Sequence, residues 1–355
     1  MVENKLMIIG AFLDHKNIIG GDTVKNTILA NKLKEMGYTL KIFNTTFNWR
    51  KNKIKTSMKL FWQIYTYRPS HIILSASSGG AIAFLRGAKF LKKVFPFKLL
   101  YLVIGGRIGE IANNNFKIKK LLSYCDKIYV ETLGLKREIN HAGVNNVIHL
   151  PNFRDFNFTP NLTKKISLPL KIVFFSRVYR EKGIELAVNS VKSINNKSGK
   201  KVLVLDIYGP IKEGYELDFK RLLRSSKNVK YQGVIDVFTD ETYNILSEYD
   251  LMIFPTYHYG EGLPGALIDS FISGLPVLAS DWKYNSEIIK DKITGRLFET
   301  NNLQDLIEKL KWFIKNKEKI YEMKKNCIKE GEKYNADSII PKLLTLSGIS
   351  KQYLP

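Results

Sequence analysis

Short apolar runs alternate with segments of helical period along this 355-residue chain, and the alternation occurs twice over. Leu6–Phe12, Thr39–Phe43, Ile72–Ser75, Leu99–Ile104, Lys127–Val130 and Val147–Leu150 read as buried strands, with helical patterns such as Thr23–Met36 between most of them. Strands that are apolar throughout need cover on both faces, and helices placed between successive strands supply it. The pattern therefore predicts a parallel sheet between two helical layers. A polar, proline-bearing connector runs from Pro151 to Pro169, and then the pattern restarts. Leu170–Phe175, Lys201–Tyr208, Val229–Gln232, Leu251–Phe254, Pro276–Ala279 and Gly295–Phe298 form the second set. The expected fold class is α/β, with two doubly wound, Rossmann-like domains over 1–165 and 166–335. Leu303–Tyr334 reads as one terminal helix, and the last segment, 336–355, as a helix (Asp337–Leu346) that returns to the first domain. The length allows each domain its own core.

In such sheets ligands collect at the carboxyl ends of the strands. The most informative stretch follows one of them: Gly260-Glu261-Gly262-Leu263-Pro264-Gly265, then an apolar helix carrying Asp269 and stopping at Gly274. Pro264 suits the first turn of that helix, where its missing N–H is not needed. Turn glycines let backbone N–H groups approach a ligand closely, and a helix start favours negative charge. A carboxylate beside a phosphate would repel it, so Glu261 is better used accepting hydrogen bonds from hydroxyls. Amides for phosphate and carboxylates for hydroxyls suggest a nucleotide-sugar pocket.

Three other loops fall just after strands. Ser176-Arg177-Val178-Tyr179-Arg180-Glu181-Lys182-Gly183 offers a planar guanidinium and a compact ammonium. That pair suits a pyrophosphate clamp, or else the loop is a solvated basic turn with Glu181 as local partner. Gly20-Gly21, after the loop 14–19 that includes His15, either brings amides to a phosphate or sugar or makes a plain tight turn. It lacks the full G-x-G-x-x-G spacing of a dinucleotide site. In Asp281–Glu287, Trp282 and Tyr284 are candidates to stack on a ring or to anchor the loop on the core, and Glu287 can orient a hydroxyl.

Charge is the one unusual feature of the composition. Residues 1–168 carry 27 Lys and Arg against 9 Asp and Glu, whereas the remainder carries 29 against 24, and no acid occurs between Glu35 and Glu110. Lys51–Tyr67 and Ala81–Lys98 mix cations with Phe, Trp, Leu and Tyr. In the second of these, Phe84, Ala88, Leu91, Val94 and Phe95 form an apolar side with Arg86, Lys89, Lys92 and Lys93 around it. This suits an amphipathic helix lying on an anionic membrane surface, where each basic residue contributes roughly 1 kcal/mol; the alternative is a solvated basic face on a buried helix. No nucleic-acid module is visible, so nucleic acid is not an expected partner. Cys125 and Cys327 show no metal spacing, the five histidines no paired ligand spacing, and no Asp-x-Asp triplet occurs, so neither a metal nor another cofactor is expected. The start of the chain reads straight into a strand with no secretory signal, so Asn161-Leu162-Thr163 carries no glycosylation meaning and a cytoplasmic location is expected.

Taken in order, these motifs resemble the retaining family-4 glycosyltransferases of the GT-B fold over essentially the whole chain. The matching pieces are Gly20-Gly21, Arg177 with Lys182-Gly183, Glu261 and Asp269 eight apart, Leu275-Pro276-Val277, Ser280-Asp281, Glu287-Ile288-Ile289 and Thr294-Gly295. The run His258–Gly265 is most similar to enzymes that build bacterial capsule, exopolysaccharide or O-antigen. The resemblance implies two domains facing each other across a cleft, and a sugar transferred from a UDP- or GDP-sugar to a saccharide acceptor, with retention and without metal. It implies that Arg177 and Lys182 hold the donor diphosphate and that Glu261 contacts donor-sugar hydroxyls. Asp269 would hold the ribose, where the family usually has glutamate. Gly20 and Gly21 would lie near the diphosphate and acceptor, and Gly260, Gly262, Leu263, Pro264, Gly265 and Glu287 would line the donor pocket. Many members carry a histidine after a middle strand of the first domain. The comparable stretch here, Tyr101–Arg107, has none, and a backbone contact from Gly105-Gly106 is expected in its place. A lipid-linked acceptor would fit a peripheral protein on the inner face of the cytoplasmic membrane. The alternative reading is a weakly active or inactive sugar-nucleotide-binding partner subunit of a glycosyltransferase complex.

Overall fold

The computed structural model describes residues 5–13, 20–46, 52–162, 165–224 and 226–349. His15 with the rest of the loop 14–19, Lys51, Thr163 and the end of the segment 336–355 lie outside them. The chain divides into two compact units: Met1–Asp155 with Gly260–Leu263 and Asn335–Pro355, and Phe156–Tyr259 with Pro264–Tyr334.

Unit 1 holds six parallel strands, β1 (Leu6–Gly10), β2 (Leu40–Asn44), β3 (His71–Ser77), β4 (Lys98–Ile104), β5 (Lys127–Val130) and β6 (Val147–His149). Between them run α1 (Gly21–Glu35), α2 (Lys53–Tyr67), α3 (Ser78–Val94), α4 (Ile108–Asn114), α5 (Phe116–Leu122) and α6 (Leu133–His141). The strand order is β2-β1-β3-β4-β5-β6, so the winding reverses between β1 and β3. Ile8, Ile73, Leu100 and Ile128 are fully buried in the strands, and Leu29, Leu33 and Leu85 cover them from the helices.

Unit 2 repeats the plan with β7 (Leu170–Phe175), α7 (Ile184–Ser198), β8 (Leu203–Tyr208), α8 (Glu216–Arg224), β9 (Val229–Gly233) and α9 (Asp240–Ser247). It continues with β10 (Leu251–Phe254), α10 (Gly265–Ile272), β11 (Val277–Ser280), α11 (Asn285–Ile288), β12 (Gly295–Phe298), α12 (Leu303–Lys315) and α13 (Lys317–Gly331). The order β12-β11-β10-β7-β8-β9 places the reversal between β7 and β10. Phe174, Val188, Leu205, Leu251, Phe298 and Phe313 belong to one core cluster. A last helix, α14 (Ala336–Ser347), packs on α1 within unit 1, where Tyr129 Oη and Ser347 Oγ lie 2.8 Å apart.

All twelve predicted strands are present, within a few residues of their expected limits. Three details differ. The expected helix Leu303–Tyr334 is broken at Asn316, whose backbone leaves the helical region (φ −116°) while its side chain donates to Trp312 O at 2.8 Å. Pro264 stands one residue ahead of the helix it was expected to open, because its ψ of 129° keeps it extended as the N-cap. The expected membrane-facing side of α3 is turned inward: Phe84, Ala88, Leu91 and Phe95 are buried, and of that set only Val94 is exposed. A helix lying on a bilayer and a helix lying on a core show the same apolar periodicity, and here the core took the face.

Candidate functional site

In unit 2 the site is built where the winding reverses. β7 and β10 are neighbours, so the loops leaving their carboxyl ends lie side by side, at the position where doubly wound sheets bind ligands. After β7 the chain runs through Arg177 to a 3₁₀ turn, Arg180–Lys182, closed by Gly183 in the left-handed region (φ 76°) before α7 begins. After β10 it continues through Pro255, Thr256 and Tyr257. Tyr257 N donates to Glu181 O at 2.9 Å, fastening the two loops together. Gly183 faces Pro255 so closely that a Cβ there would stand 2.0 Å from the Pro255 carbonyl oxygen.

This packing fixes where the cations stand. Lys182 is only 7 % exposed, with Nζ 5.8 Å from the centroid of the Phe254 ring. Arg177 is exposed, and its guanidinium lies 5.8 Å from the Tyr179 ring. The same ring has Lys212 Nζ at 4.9 Å and the His258 ring edge-on at 5.9 Å. Tyr179 thus serves as a platform between two cations, a role that charge spacing along the sequence does not reveal, since Lys212 arrives from beyond β8.

The neighbouring loop, after β11, joins the group through Trp282, whose Nε1 donates to His258 O at 2.8 Å. Tyr284 is buried and anchors that loop, while Glu287 stands exposed on α11. Asp269 lies on α10 and is 3 % exposed. Gly265 opens α10, and Gly274 (φ 64°) follows its last turn. Among the described residues no group of three or more His, Cys, Asp and Glu side chains is placed to hold a metal ion. Both cysteines are buried, and burial pushes the Cys125 thiol up to about 12.

Unit 1 has its reversal between β1 and β3, and the Gly20-Gly21 turn follows β1 there. Gly20 caps α1: its N–H donates to Thr23 Oγ1 at 3.0 Å, and Thr23 Oγ1 donates back to Gly20 O at 2.8 Å. A Cβ at Gly21 would meet nothing within 4 Å, so the backbone at the start of α1 is open.

The turn Gly260–Leu263 packs in this unit as well. Gly106 N donates to Gly260 O at 3.2 Å, and Gly105 (φ 79°) approaches so closely that a Cβ would stand 2.8 Å from that oxygen. Gly105-Gly106 was expected to reach a ligand with its backbone. In the structure the Gly106 amide donates to Gly260 O and so holds the turn. At the turn's other end, Leu263 N donates to Glu131 Oε2 at 3.3 Å, and Asn152 Nδ2 donates to Leu263 O at 3.3 Å. Glu261, within this turn, is 7 % exposed. Glu131 and its ion-pair partner Lys25 escaped the sequence reading. The available signals were a lysine on the buried stripe of α1 and an acid directly after β5, in a half of the chain where cations outnumber acids three to one.

An exposed apolar stripe of unit 1 lies on α2. Ile54, Met58, Phe61, Trp62 and Tyr65 face outward, at helical spacing, while Leu60 and Ile64 of the same helix are buried. Phe61 and Tyr65 pack on Phe95 at the end of α3, with ring centroids 5.7 and 6.3 Å apart. Phe90 and Val94 extend the patch, and Lys55, Lys59, Arg86, Lys89 and Lys93 are exposed on the same two helices. No helix among the described residues is long and apolar enough to cross a membrane.

Comparison with known proteins agrees with this architecture. Residues 158–334 match the family described as Glycosyl transferases group 1. Poly(ribitol-phosphate) alpha-N-acetylglucosaminyltransferase of Staphylococcus aureus (strain COL) is 27 % identical over 215 residues, which is 59 % of this chain and 41 % of that protein. The chain therefore spans about two fifths of that relative's length. Among solved structures, sucrose-phosphate synthase of Thermosynechococcus elongatus superposes with a TM-score of 0.78 at 15 % identity, covering 97 % of this chain and 98 % of that one. Anabaena HepE in complex with UDP-glucose does so with a TM-score of 0.71 at 13 % identity, covering 96 % and 99 %. Residues 158–334 are a Glycosyl transferases group 1 domain, in a chain built on the GT-B fold.

Proposed function

We propose that this chain is a retaining, metal-independent glycosyltransferase that moves a sugar from a UDP-sugar to a saccharide acceptor in the synthesis of a bacterial surface polysaccharide. The observation that carries the reading is the fastening of the Arg177–Gly183 loop to the Pro255–Tyr257 segment at the β7/β10 reversal. It presents an exposed guanidinium and a held ammonium at the carboxyl end of the sheet of a group 1 domain. Arg177 and Lys182 bind the donor diphosphate and stabilise the negative charge that grows on it as the glycosidic bond breaks. Two fixed cations supply the neutralisation that a metal ion would otherwise provide. Glu261 accepts hydrogen bonds from donor-sugar hydroxyls, and Asp269 from the ribose. Gly260, Gly262, Leu263, Pro264, Gly265 and Glu287 contact the donor, and the turn Gly20-Gly21, open at Gly21, serves the diphosphate or the acceptor. The acceptor hydroxyl attacks from the face the diphosphate leaves, and a diphosphate oxygen takes its proton.

A uridine nucleotide is favoured because a structural neighbour holds UDP-glucose. Thermal unfolding with UDP, GDP and their sugar derivatives tests this. A ligand at 100 times its Kd adds about 2.7 kcal/mol of stability, so UDP raises the melting temperature and GDP does not. Asp269→Glu keeps the shift and Asp269→Ala loses most of it. No shift with any nucleotide or sugar nucleotide overturns the donor assignment.

The acceptor is lipid-linked and reached from the inner face of the cytoplasmic membrane, with unit 1 as the peripheral contact. The outward stripe of α2, flanked by exposed cations, supports this: apolar side chains enter the headgroup boundary while lysines and arginines meet anionic lipid. In flotation assays the protein rises with vesicles containing phosphatidylglycerol and stays behind with phosphatidylcholine alone. Met58→Ser with Trp62→Ser lowers recovery several-fold. Equal recovery with both lipids sinks the idea.

A further inference from the structure

Glu131 is hydrogen-bonded to the Gly260–Leu263 turn through Leu263 N, and it does not act alone. Its Oε1 lies 2.6 Å from Lys25 Nζ, and both side chains are about nineteen-twentieths buried. Its Oε2 accepts the Leu263 N–H and stands 3.1 Å from where a Cβ on Gly262 would be. The Glu131 carbonyl oxygen lies 3.3 Å from His149 Nε2, and Lys25 Nζ lies 5.7 Å from the Phe153 ring. A lysine and a glutamate buried together give up their hydration, and such pairs often add little or nothing to stability compared with apolar residues. One buried in an otherwise acid-poor unit therefore calls for a reason beyond stability. The carboxylate has two oxygens, and one is spent on Lys25 while the other is aimed at a backbone amide two residues from Glu261.

We infer that Lys25 and Glu131 form a positioning pair: Lys25 fixes the Glu131 carboxylate, which holds the Leu263 amide and so sets the turn that aims Glu261. Gly106 N on Gly260 O secures one end of the turn, and at the other the Glu131 contact on Leu263 N acts together with Asn152 Nδ2 on Leu263 O to set its orientation. Gly262 is glycine because a side chain would push against Glu131 and Gly105 at that spot. Neither Lys25 nor Glu131 is assigned a contact with substrate. The inference rests on the donor-sugar role of Glu261 proposed above.

The test uses two double variants, so that no buried charge is left unpaired. Lys25→Met with Glu131→Leu removes both charges and the acceptor for Leu263 N–H. Lys25→Met with Glu131→Gln also removes both charges but keeps an amide oxygen for that N–H. Hydrogen exchange of the peptide spanning 260–264 reads the turn directly, without any substrate. It speeds up at least 10-fold in the first variant and stays near wild type in the second. Sugar transfer follows the same order: kcat falls 10-fold or more in the first with KM for the donor within about 2-fold, and the second recovers most of kcat. UDP-induced stabilisation is unchanged in both. Wild-type exchange and kcat in the first variant, or an equal loss of kcat in both, overturns the positioning role. A wild-type protein without transfer activity overturns the functional reading, and with it the aiming of Glu261, whatever the exchange data show.

Discussion

Arg177→Ala and Lys182→Ala each lower kcat for sugar transfer on the order of 10²-fold or more, by analogy with removing a single oxyanion donor. The two variants differ in what else they change. Arg177 is exposed beside the Tyr179 ring, so its loss leaves the melting temperature near wild type. Lys182 is buried against Phe254, so its loss also removes packing from the turn ahead of α7. Arg177→Lys recovers part of the rate, because an ammonium restores the charge without the planar fork. Initial rates with radiolabelled or coupled-assay donor read all three variants. Near-normal turnover in both alanine variants removes the diphosphate clamp from the mechanism.

Gly183→Ala destabilises the protein by about 3 kcal/mol, combining the strain of a non-glycine residue at positive φ with the overpacking of a closed contact. The Cβ would stand 2.0 Å from the Pro255 carbonyl oxygen and 2.7 Å from its carbon. Both are backbone atoms just beyond the central strand β10, so nothing flexible can move aside. Relief requires the 3₁₀ turn to shift away from Pro255–Tyr257, which breaks the bond from Tyr257 N to Glu181 O and displaces Lys182. Activity therefore falls together with stability. Gly21→Ala is the contrast, since a Cβ there meets nothing within 4 Å and its stability stays within about 0.5 kcal/mol of wild type. Denaturant titration of the two variants measures the difference. Equal midpoints would mean that the loop after β7 is not clamped as described.

Much of this was legible because strands and helices advertise themselves locally. Leu170–Phe175 and Leu251–Phe254 are apolar at every position but Lys171, and both are interior strands covered on two faces. The positions of Arg177, Lys182 and Asp269 followed, since each comes directly after a strand or on the next helix. Faces were harder. The spacing of Phe84, Ala88 and Leu91 places them on one side of a helix, as the structure has them, yet periodicity carries no information about what that side meets. The apolar face expected on a bilayer is core, and the outward stripe belongs to α2, whose two apolar faces blur the periodic signal. Trp282 and Tyr284 offered stacking or anchoring equally, and Tyr284 proved to be a buried anchor.

The sequence by itself determined the two parallel sheets, the loops that carry the cations and the placement of Glu261 on a glycine turn, because each depends on residues close together in the chain. Tertiary structure alone decided which unit that turn packs in. Its partners Gly106, Glu131 and Asn152 lie more than a hundred positions earlier in the chain, and no local pattern joins them to Leu263. Nor does local pattern join Lys25 to Glu131, which are brought to 2.6 Å only when α1 and the end of β5 come together. A buried charge must find its partner wherever the fold places one, so such a pair becomes visible only after the chain has folded.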